Sequence, residues 1–222
     1  MLTVSEAVRR RHSCRAFLSE PVDRAAIEDI LAAASRAPSG GNLQPWRVDA
    51  VAGEALERLK AEVREQLSQG LGPTEFDVYP AAIGLADKTR RRACGEALYA
   101  SLGIDRGDKA GRWAQFLGNY DLFGAPVGLF FSLGREFDRP QWAHLGMFMQ
   151  TIMLLAEERG LATCAQESWA AVHAVVEKQL ALPPDRIFYA AIALGRPDRD
   201  QPVNGFRTER EPTASFARFH GF

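Results

Sequence analysis

The sequence has few cysteines, which are scattered along the chain, and little net charge. Each of these features excludes a class of protein. Its three cysteines are Cys14, Cys94 and Cys164. No two of them form a Cys-x-x-Cys pair, so neither a zinc site nor a redox dithiol is indicated. Unpaired thiols in odd number are typical of a reducing compartment, and we expect a cytoplasmic protein. The formal net charge of −1 argues against a general nucleic-acid or membrane-surface binder.

Motifs for several common chemistries are also missing. There is no Gly-x-Gly-x-x-Gly fingerprint, no P-loop, no Gly-x-Ser-x-Gly elbow and no His-Glu-x-x-His pair. The four histidines never recur at ligand spacing, so we predict no metal and no catalytic side-chain nucleophile. The most apolar stretch, residues 145–158, is too short and too polar at its ends to span a bilayer, and the N-terminus lacks the apolar core of a signal peptide.

The periodicity of the remaining sequence predicts an α+β fold. A chain of 222 residues with 46% hydrophobic content is long enough for one domain, which we place over 1–222. Thr3 and Glu6 form a capping box that starts the first helix. The other helical patterns cover 23–37, 54–70, 84–101, 108–117, 141–159 and 171–181. Strands are predicted near 46–51 and within the apolar runs 123–134 and 186–195, while 160–169 has the composition of a polar loop.

The first candidate binding segment is RRRHSCR, residues 9–15. In an extended chain alternate residues face one side, so Arg11, Ser13 and Arg15 point together. Two guanidinium groups beside a hydroxyl suit phosphate oxygens. The same residues also suit the solvated basic end of a helix. Nucleic-acid binding is the weakest alternative, because no basic face accompanies this segment.

The C-terminal tail contains a second pair of arginines, Arg207 and Arg210, within residues 204–210. Phenylalanine is too frequent here for a disordered end, so the tail is expected to dock. A docked tail could bring its arginines to the first segment. The phenylalanines are Phe206, Phe216, Phe219 and Phe222.

Two further segments have binding composition. SRAPSGGNLQPW, residues 35–46, connects a helix to a strand with glycines that allow close backbone approach and with short polar side chains. A purely structural turn is the alternative. GLATCAQESW, residues 160–169, follows a very apolar helix.

In this order, the four segments resemble those of the flavin-dependent nitroreductases. RHSCR resembles the family's Arg-x-Ser-x-Arg motif, and APSGGNLQPW resembles its Pro-Ser-x-x-Asn-x-Gln-Pro-Trp loop. The segments at 160–169 and 204–210 lie where the family's other flavin contacts lie. The resemblance extends over nearly the whole chain, and residues 90–112 are most similar to the nitrobenzoate-reductase-like branch.

This resemblance implies a central mixed sheet flanked by helices, in an intertwined homodimer that binds FMN at its interface. Residues 200–222 are then a C-terminal extension that docks on the partner subunit. Pro38, Ser39, Gly40 and Asn42 are implied to reach the flavin of the other subunit. The remaining implied cofactor-binding residues are Arg11, His12, Ser13, Arg15, Asn119, Gln166, Glu167, Ser168, Arg207 and Arg210.

The implied activity is ping-pong transfer of hydride from NADH or NADPH, through flavin N5, to a small electron-poor acceptor such as a nitroaromatic or a quinone. Arg15 is the candidate for stabilising negative charge near flavin N1. Aromatic residues of the middle segment form either a substrate lid or core: Phe76, Tyr79, Trp113 and Phe116.

Alternatives remain open at the level of sequence. Related scaffolds carry out dehalogenation, flavin cleavage or enoate reduction, and a non-catalytic flavin-binding module is a further candidate. The basic run at 88–92 contains Lys88, Arg90, Arg91 and Arg92. It suits either attraction of an acidic substrate or NADPH, or an ordinary solvated helix face.

Overall fold

The computed structural model describes residues 2–222 and places a four-stranded sheet between layers of helices. Met1, which the single-domain prediction includes, lies outside the described residues. The strands are β1 (Arg47–Ala52), β2 (Val127–Gly134), β3 (Ala162–Gln166) and β4 (Arg186–Gly195). Their order across the sheet is β1-β2-β4-β3, so the two longest strands are central.

The helical patterns read from the sequence correspond to α-helices with small shifts at their ends. The helices are α1 (Val4–Arg10), α2 (Arg24–Ala34), α3 (Gly53–Ser68), α4 (Leu85–Ser101), α5 (Lys109–Leu117), α6 (Arg139–Glu158) and α7 (His173–Gln179). The capping box of Thr3 and Glu6 is confirmed. Helix α6 starts two residues earlier than predicted because Asp138 caps it and Pro140 suits its first turn. No helix within residues 2–222 is long and apolar enough to cross a bilayer.

The α+β class is confirmed, but the expectation of a mixed sheet is corrected. All strand pairs within the described residues are antiparallel, and the parallel pairing there is confined to an isolated bridge between Ser13 and Thr163. The register explains this, because each strand begins beside the end of its neighbour: Ala52 pairs with Val127, and Gly134 pairs with Arg186. In a parallel pair, the connection would return the chain to the edge where the previous strand began. The helical connections here do not do so.

Both faces of the sheet are covered, as the continuous apolar runs predicted. On one face, Phe130 packs in a cluster with α3 and Trp169. On the other, Leu129 and Phe131 pack against α6, where Phe131 meets Phe148 edge to face. Every residue of β2 is buried. The sheet is thus a rigid platform whose edges and ends carry the exposed loops.

Residues 160–169 were expected to form a polar loop, and this expectation is wrong. Residues 162–166 form the edge strand β3, and Glu167–Val172 form a 3-10 helix. The strand is too short to display alternation, and Thr163 and Gln166 are polar yet almost fully buried. Pairing with β4 supplies the backbone hydrogen bonds that determine this conformation.

We expect Phe131→Ala to lower the free energy of unfolding by about 3–5 kcal/mol, because it opens a cavity between the sheet and α6. Urea denaturation followed by circular dichroism measures the change. Leu85→Ala is the control, since Leu85 is 82% exposed, and it should change stability by no more than about 0.5 kcal/mol. Equal effects of the two substitutions would contradict the described packing.

Candidate functional site

The segment after α1 lies along the edge strand β3. Ser13 forms a bridge with Thr163, and the backbone N–H of Cys14 donates to the carbonyl of Thr163 at 2.9 Å. The segment is therefore extended at this point, as the alternation argument required. It runs parallel to β3 here, beside the second residue of the strand.

Arg11, Ser13 and Arg15 gather around the buried thiol of Cys164. Burial raises the pKa of that thiol, whereas the charge of Arg15 and the hydroxyl of Ser13 act in the opposite direction. Arg11 also lowers the pKa of the thiol, by less than Arg15 and Ser13 do. All three residues therefore lie near Cys164.

Asn204 joins the C-terminal tail to this segment. Its Oδ1 accepts a hydrogen bond from the backbone N–H of Arg15 at 2.8 Å. Its Nδ2 donates to the carbonyls of Ala16 and Asp198 at 2.8 and 2.7 Å. The side chain is 7% exposed, so these bonds are shielded from water. This amide group thus helps to join the two segments, alongside the backbone hydrogen bonds of Ala16 with Asp198 and of Leu18 with Arg196.

The joined ends form a cluster of positive charge. Burial lowers the pKa of Arg11, and the nearby Arg210 lowers it further. Burial also lowers the pKa of His12, with Arg207 acting in the same direction. The sequence left the choice between the two tail arginines open, and in the structure Arg210 acts on Arg11 while Arg207 acts on His12. Arg207 is held there by its own bond to the carbonyl of Asn204 at 2.8 Å.

A cavity of about 270 Å³ opens beside this cluster. Its lining includes Arg10, His12, Arg199, Asn204, Arg207 and the carboxylate of Glu157. The Nδ1 atom of His12 lies 3.1 Å from the carbonyl of Arg10 and so carries the proton, while its Nε2 is buried and has no hydrogen-bond partner within residues 2–222. The excess of positive charge in the lining suits an anionic ligand.

A second and larger cavity, of about 570 Å³, lies at the end of β3. Its floor is formed by Ala165, Gln166, Glu167 and Ser168, and its other walls come from α6 and from a loop that includes Tyr79. The side chains are predominantly apolar, with a few polar groups at the floor. This composition is typical of a site for a planar organic cofactor or substrate.

Polar groups on the cavity floor are held in place by Asn119. Gln166 Nε2 donates to the Asn119 carbonyl at 2.9 Å, and Trp169 Nε1 donates to the same oxygen at 2.9 Å. The Oε1 atom of Gln166 and the hydroxyl of Ser168 are buried without a partner among the described residues. Two buried polar atoms without a partner therefore lie in residues that line this cavity.

Glu167 and Tyr189 form a hydrogen-bonded pair on the cavity wall, in which the Tyr189 hydroxyl donates to the carboxylate. Burial raises the pKa of Tyr189, and the Glu167 charge raises it further. The phenol is therefore protonated at neutral pH. It can orient the Glu167 side chain at the entrance to the 3-10 helix.

The loop at 35–46 lies away from both cavities of the same chain. Pro38, Gly40 and Asn42 are exposed, and Gly40 donates its N–H to His144 Nε2 at 3.3 Å. Asn42 and Gln44 have positive φ values of 57° and 47°. Such strain costs roughly 1–3 kcal/mol for each non-glycine residue and is concentrated at functional sites.

Two contacts hold this strained loop in shape. Trp46 stacks on Phe148 of α6 with a centroid separation of 4.6 Å, and the Ser39 hydroxyl accepts a hydrogen bond from the N–H of Gln44 at 3.1 Å. The loop is consequently a rigid projection on the surface of one chain.

Comparison with protein families identifies the fold. The nitroreductase family model matches residues 8–196. The chain belongs to the nitroreductase family.

Relatives of this nitroreductase match it over nearly their whole length. The 4-nitrobenzoate reductase of Pseudomonas putida is 37% identical over 221 residues, which cover 97% of this chain and 94% of the relative. The crystal structure of an FMN and NADPH-dependent nitroreductase, NfnB from Sphingopyxis sp. strain HMH, is 46% identical, with a TM-score of 0.97 and full coverage of both chains. The FMN-dependent NfnB from Mycobacterium smegmatis in complex with NADPH is 26% identical, with a TM-score of 0.91 over 98% of this chain and all of the other.

Two residues of this nitroreductase site were missed by the sequence analysis. Asn204 appeared only as part of a tail motif, and Tyr189 appeared only as one letter of an apolar strand. The alternation of β4 could have identified Tyr189 as a residue at the strand's start, but its pairing with Glu167 depends on the register of β3 with β4.

We expect Asn204→Ala to release the tail of this nitroreductase from residues 15 and 16. Removing the amide leaves the N–H of Arg15 without its acceptor, which costs about 1–3 kcal/mol. Amide hydrogen exchange at Arg15 should accelerate by about 10- to 100-fold. Gln201→Ala is the matched control, since this side chain is exposed, and exchange at Arg15 should not change. Unchanged protection in Asn204→Ala would show that the tail is held by other contacts.

Proposed function

We propose that this chain is an FMN-dependent nitroreductase that oxidises NADPH or NADH and reduces small electron-poor acceptors such as nitroaromatics. The observation that carries the proposal is the convergence of arginines from both chain ends beside the cavity of about 270 Å³, in a fold that also forms a larger cavity lined by the residues that follow β3. The full-length relatives named above are nitroreductases, two of them FMN-dependent, and this supports the assignment.

The arginine cluster is the proposed phosphate-binding part of the site. Buried like charges repel one another, and an anion that they share relieves this repulsion. The residues assigned to it are Arg11, His12, Ser13, Arg207 and Arg210. Arg15 is assigned instead to the ring system, where its charge stabilises negative charge on the reduced cofactor.

The larger cavity is the proposed ring-binding and substrate-binding part. Gln166 and Ser168 line it, and Asn119 fixes the orientation of Gln166. Glu167, at the start of the 3-10 helix, is assigned to the reactive edge of the ring. Walls from α6 and the loop at 71–79 exclude water from the acceptor.

Bound FMN would supply the redox chemistry, accepting hydride from the nicotinamide and then delivering it to the acceptor at the same position. The protein contributes binding, orientation and charge. No side chain is required as a nucleophile. The donor and the acceptor use the cavity in turn, which is the structural basis for ping-pong kinetics.

We further propose a cytoplasmic homodimer. Helix α1 exposes Val4 (76%) and Val8 (52%), and the tail exposes Phe216, Phe219 and Phe222. Apolar groups of this size are stabilised by burial, and a second copy of the chain can provide it. In that dimer the rigid loop containing Pro38, Ser39, Gly40 and Asn42 reaches the partner's flavin, and residues 200–222 form an extension of the single domain that docks on the partner. The three cysteines, all free, suit a reducing compartment.

The purified protein is expected to be yellow, to be bleached by NADPH or NADH without oxygen, and to regain colour on addition of a nitroaromatic. Arg15→Ala should preserve the fold, weaken FMN binding by about 10- to 100-fold and slow bleaching. Equilibrium dialysis measures the affinity, and anaerobic stopped-flow absorbance measures the rate.

Arg64→Ala is the control for this substitution, because it removes an exposed arginine of α3. It should leave FMN binding and the bleaching rate unchanged. Normal flavin content together with a normal rate in Arg15→Ala would refute the role given to Arg15. A protein that takes up no FMN would refute the proposed function itself.

Replacing Phe216, Phe219 and Phe222 together by alanine should raise the dissociation constant of the dimer by at least about a hundredfold, because each buried phenyl ring contributes about 1.5–3 kcal/mol. Sedimentation equilibrium measures this constant. The corresponding triple leucine variant retains apolar side chains and should stay predominantly dimeric. A wild-type chain that is monomeric at all concentrations would exclude the dimer, and an unaffected alanine variant would exclude docking of the tail.

A further inference from the structure

One face of α4 presents a basic patch, defined here as Lys88, Arg91, Arg92, Tyr99 and, from α5, Arg112. The α4 members recur at positions i, i+3, i+4 and i+11, so they share one side of the helix. Together with Gly95 and Glu96 they line a shallow cavity of about 330 Å³. The patch belongs to neither of the cavities assigned above.

The charge of this patch is largely unneutralised. Within residues 2–222, no carboxylate lies within 4.0 Å of the charged nitrogens of Lys88, Arg91 or Arg92. The one carboxylate of the cavity, Glu96, is already paired with Arg112 at 3.1 Å. By contrast Arg90, on an adjacent face of the helix, forms ion pairs with Asp87 and Glu211.

The patch adjoins the larger cavity. The guanidinium of Arg91 lies over the ring of Tyr79, 3.8 Å from its centroid. Tyr79 lines the cavity that ends at Gln166 and Ser168. This cation–π contact therefore connects the two sites across a single pair of side chains. A ligand with a planar group in the cavity can extend an anionic group over Tyr79 to the patch.

NADPH has this combination of groups, and it differs from NADH only by a phosphate on the 2′ position of the adenosine ribose. Proteins recognise that phosphate with arginine, whereas they recognise the free 2′ hydroxyl of NADH with a carboxylate. Glu96, occupied by Arg112, is not available for the second role. We propose that the basic patch binds the 2′-phosphate of NADPH and so makes NADPH the preferred electron donor. This inference rests on the proposed function and identifies its nucleotide.

The test uses the FMN-loaded protein and two non-reacting probes, 2′,5′-ADP and 5′-AMP, which differ by the 2′-phosphate. Isothermal titration calorimetry should show that the wild type binds 2′,5′-ADP at least about tenfold more tightly than 5′-AMP. Arg91→Gln combined with Arg92→Gln should abolish most of this ratio. Lys88→Gln combined with Arg92→Gln leaves the Arg91–Tyr79 contact in place and should also lower the ratio.

Arg58→Gln is the matched control, because it removes an exposed cation of α3 far from the patch in the sequence, and the ratio should stay at the wild-type value. In steady-state kinetics, the patch variants should raise the KM for NADPH by a larger factor than the KM for NADH. Equal affinity of the wild type for the two probes would overturn the inference, as would a patch variant that retains the wild-type ratio. Loss of 4-nitrobenzoate binding in the variants, with the probe ratio intact, would overturn it in favour of an acidic acceptor.

Failure of this inference can be distinguished from failure of the proposed function. A yellow protein that NADH and NADPH reduce equally well lacks the 2′-phosphate site but is still a flavin reductase. A protein without flavin fails at the earlier step, and binding of the probes then has no bearing on an electron donor.

Discussion

The site depends on holding several positive charges close together in a partly buried place. Like charges repel, and burial increases the cost, as the lowered pKa values of Arg11 and His12 reflect. The chain offsets this cost with uncharged contacts: the Ser13–Thr163 bridge, and the hydrogen bonds of Asn204 to residues 15, 16 and 198. In the proposed function, the cluster is thereby preorganised for an anion. Binding of that anion offsets the repulsion between the like charges.

The two-faced sheet gives this arrangement its rigidity. β2 and β4 are buried among helices on both sides, so the edge strand β3 has a fixed position against β4. The position of β3 in turn fixes the residues that follow it. The carbonyl of Asn119 fixes the polar floor by accepting hydrogen bonds from Gln166 and Trp169. A packed core beneath the floor explains how a large open cavity can coexist with well-ordered polar groups.

Prediction from the sequence was most successful where local chemistry decides structure. The capping box at Thr3, the helical repeats and the apolar strands β2 and β4 depend on near neighbours and on total burial, and all are present. It failed for β3, because a five-residue strand with buried Thr163 and Gln166 is stabilised by its pairing with β4 rather than by its own letters. The predicted direction of strand pairing was wrong for a related reason. This direction depends on the route by which the long helical connections return the chain across the sheet. Asn204 gave no local signal, because its importance arises from contact with residues distant in the chain.

The sequence by itself determined the α+β class, the positions of most helices and the segments that resemble the nitroreductase motifs, because these follow from periodicity and from the chemical types of neighbouring residues. Only the tertiary structure decided that both Arg207 and Arg210 approach the arginines near the N-terminus. It also decided that the strained loop at 35–46 lines neither cavity of its own chain, and that Arg91 lies over Tyr79. Contacts between distant segments depend on how the whole core packs, and no short stretch of sequence specifies that.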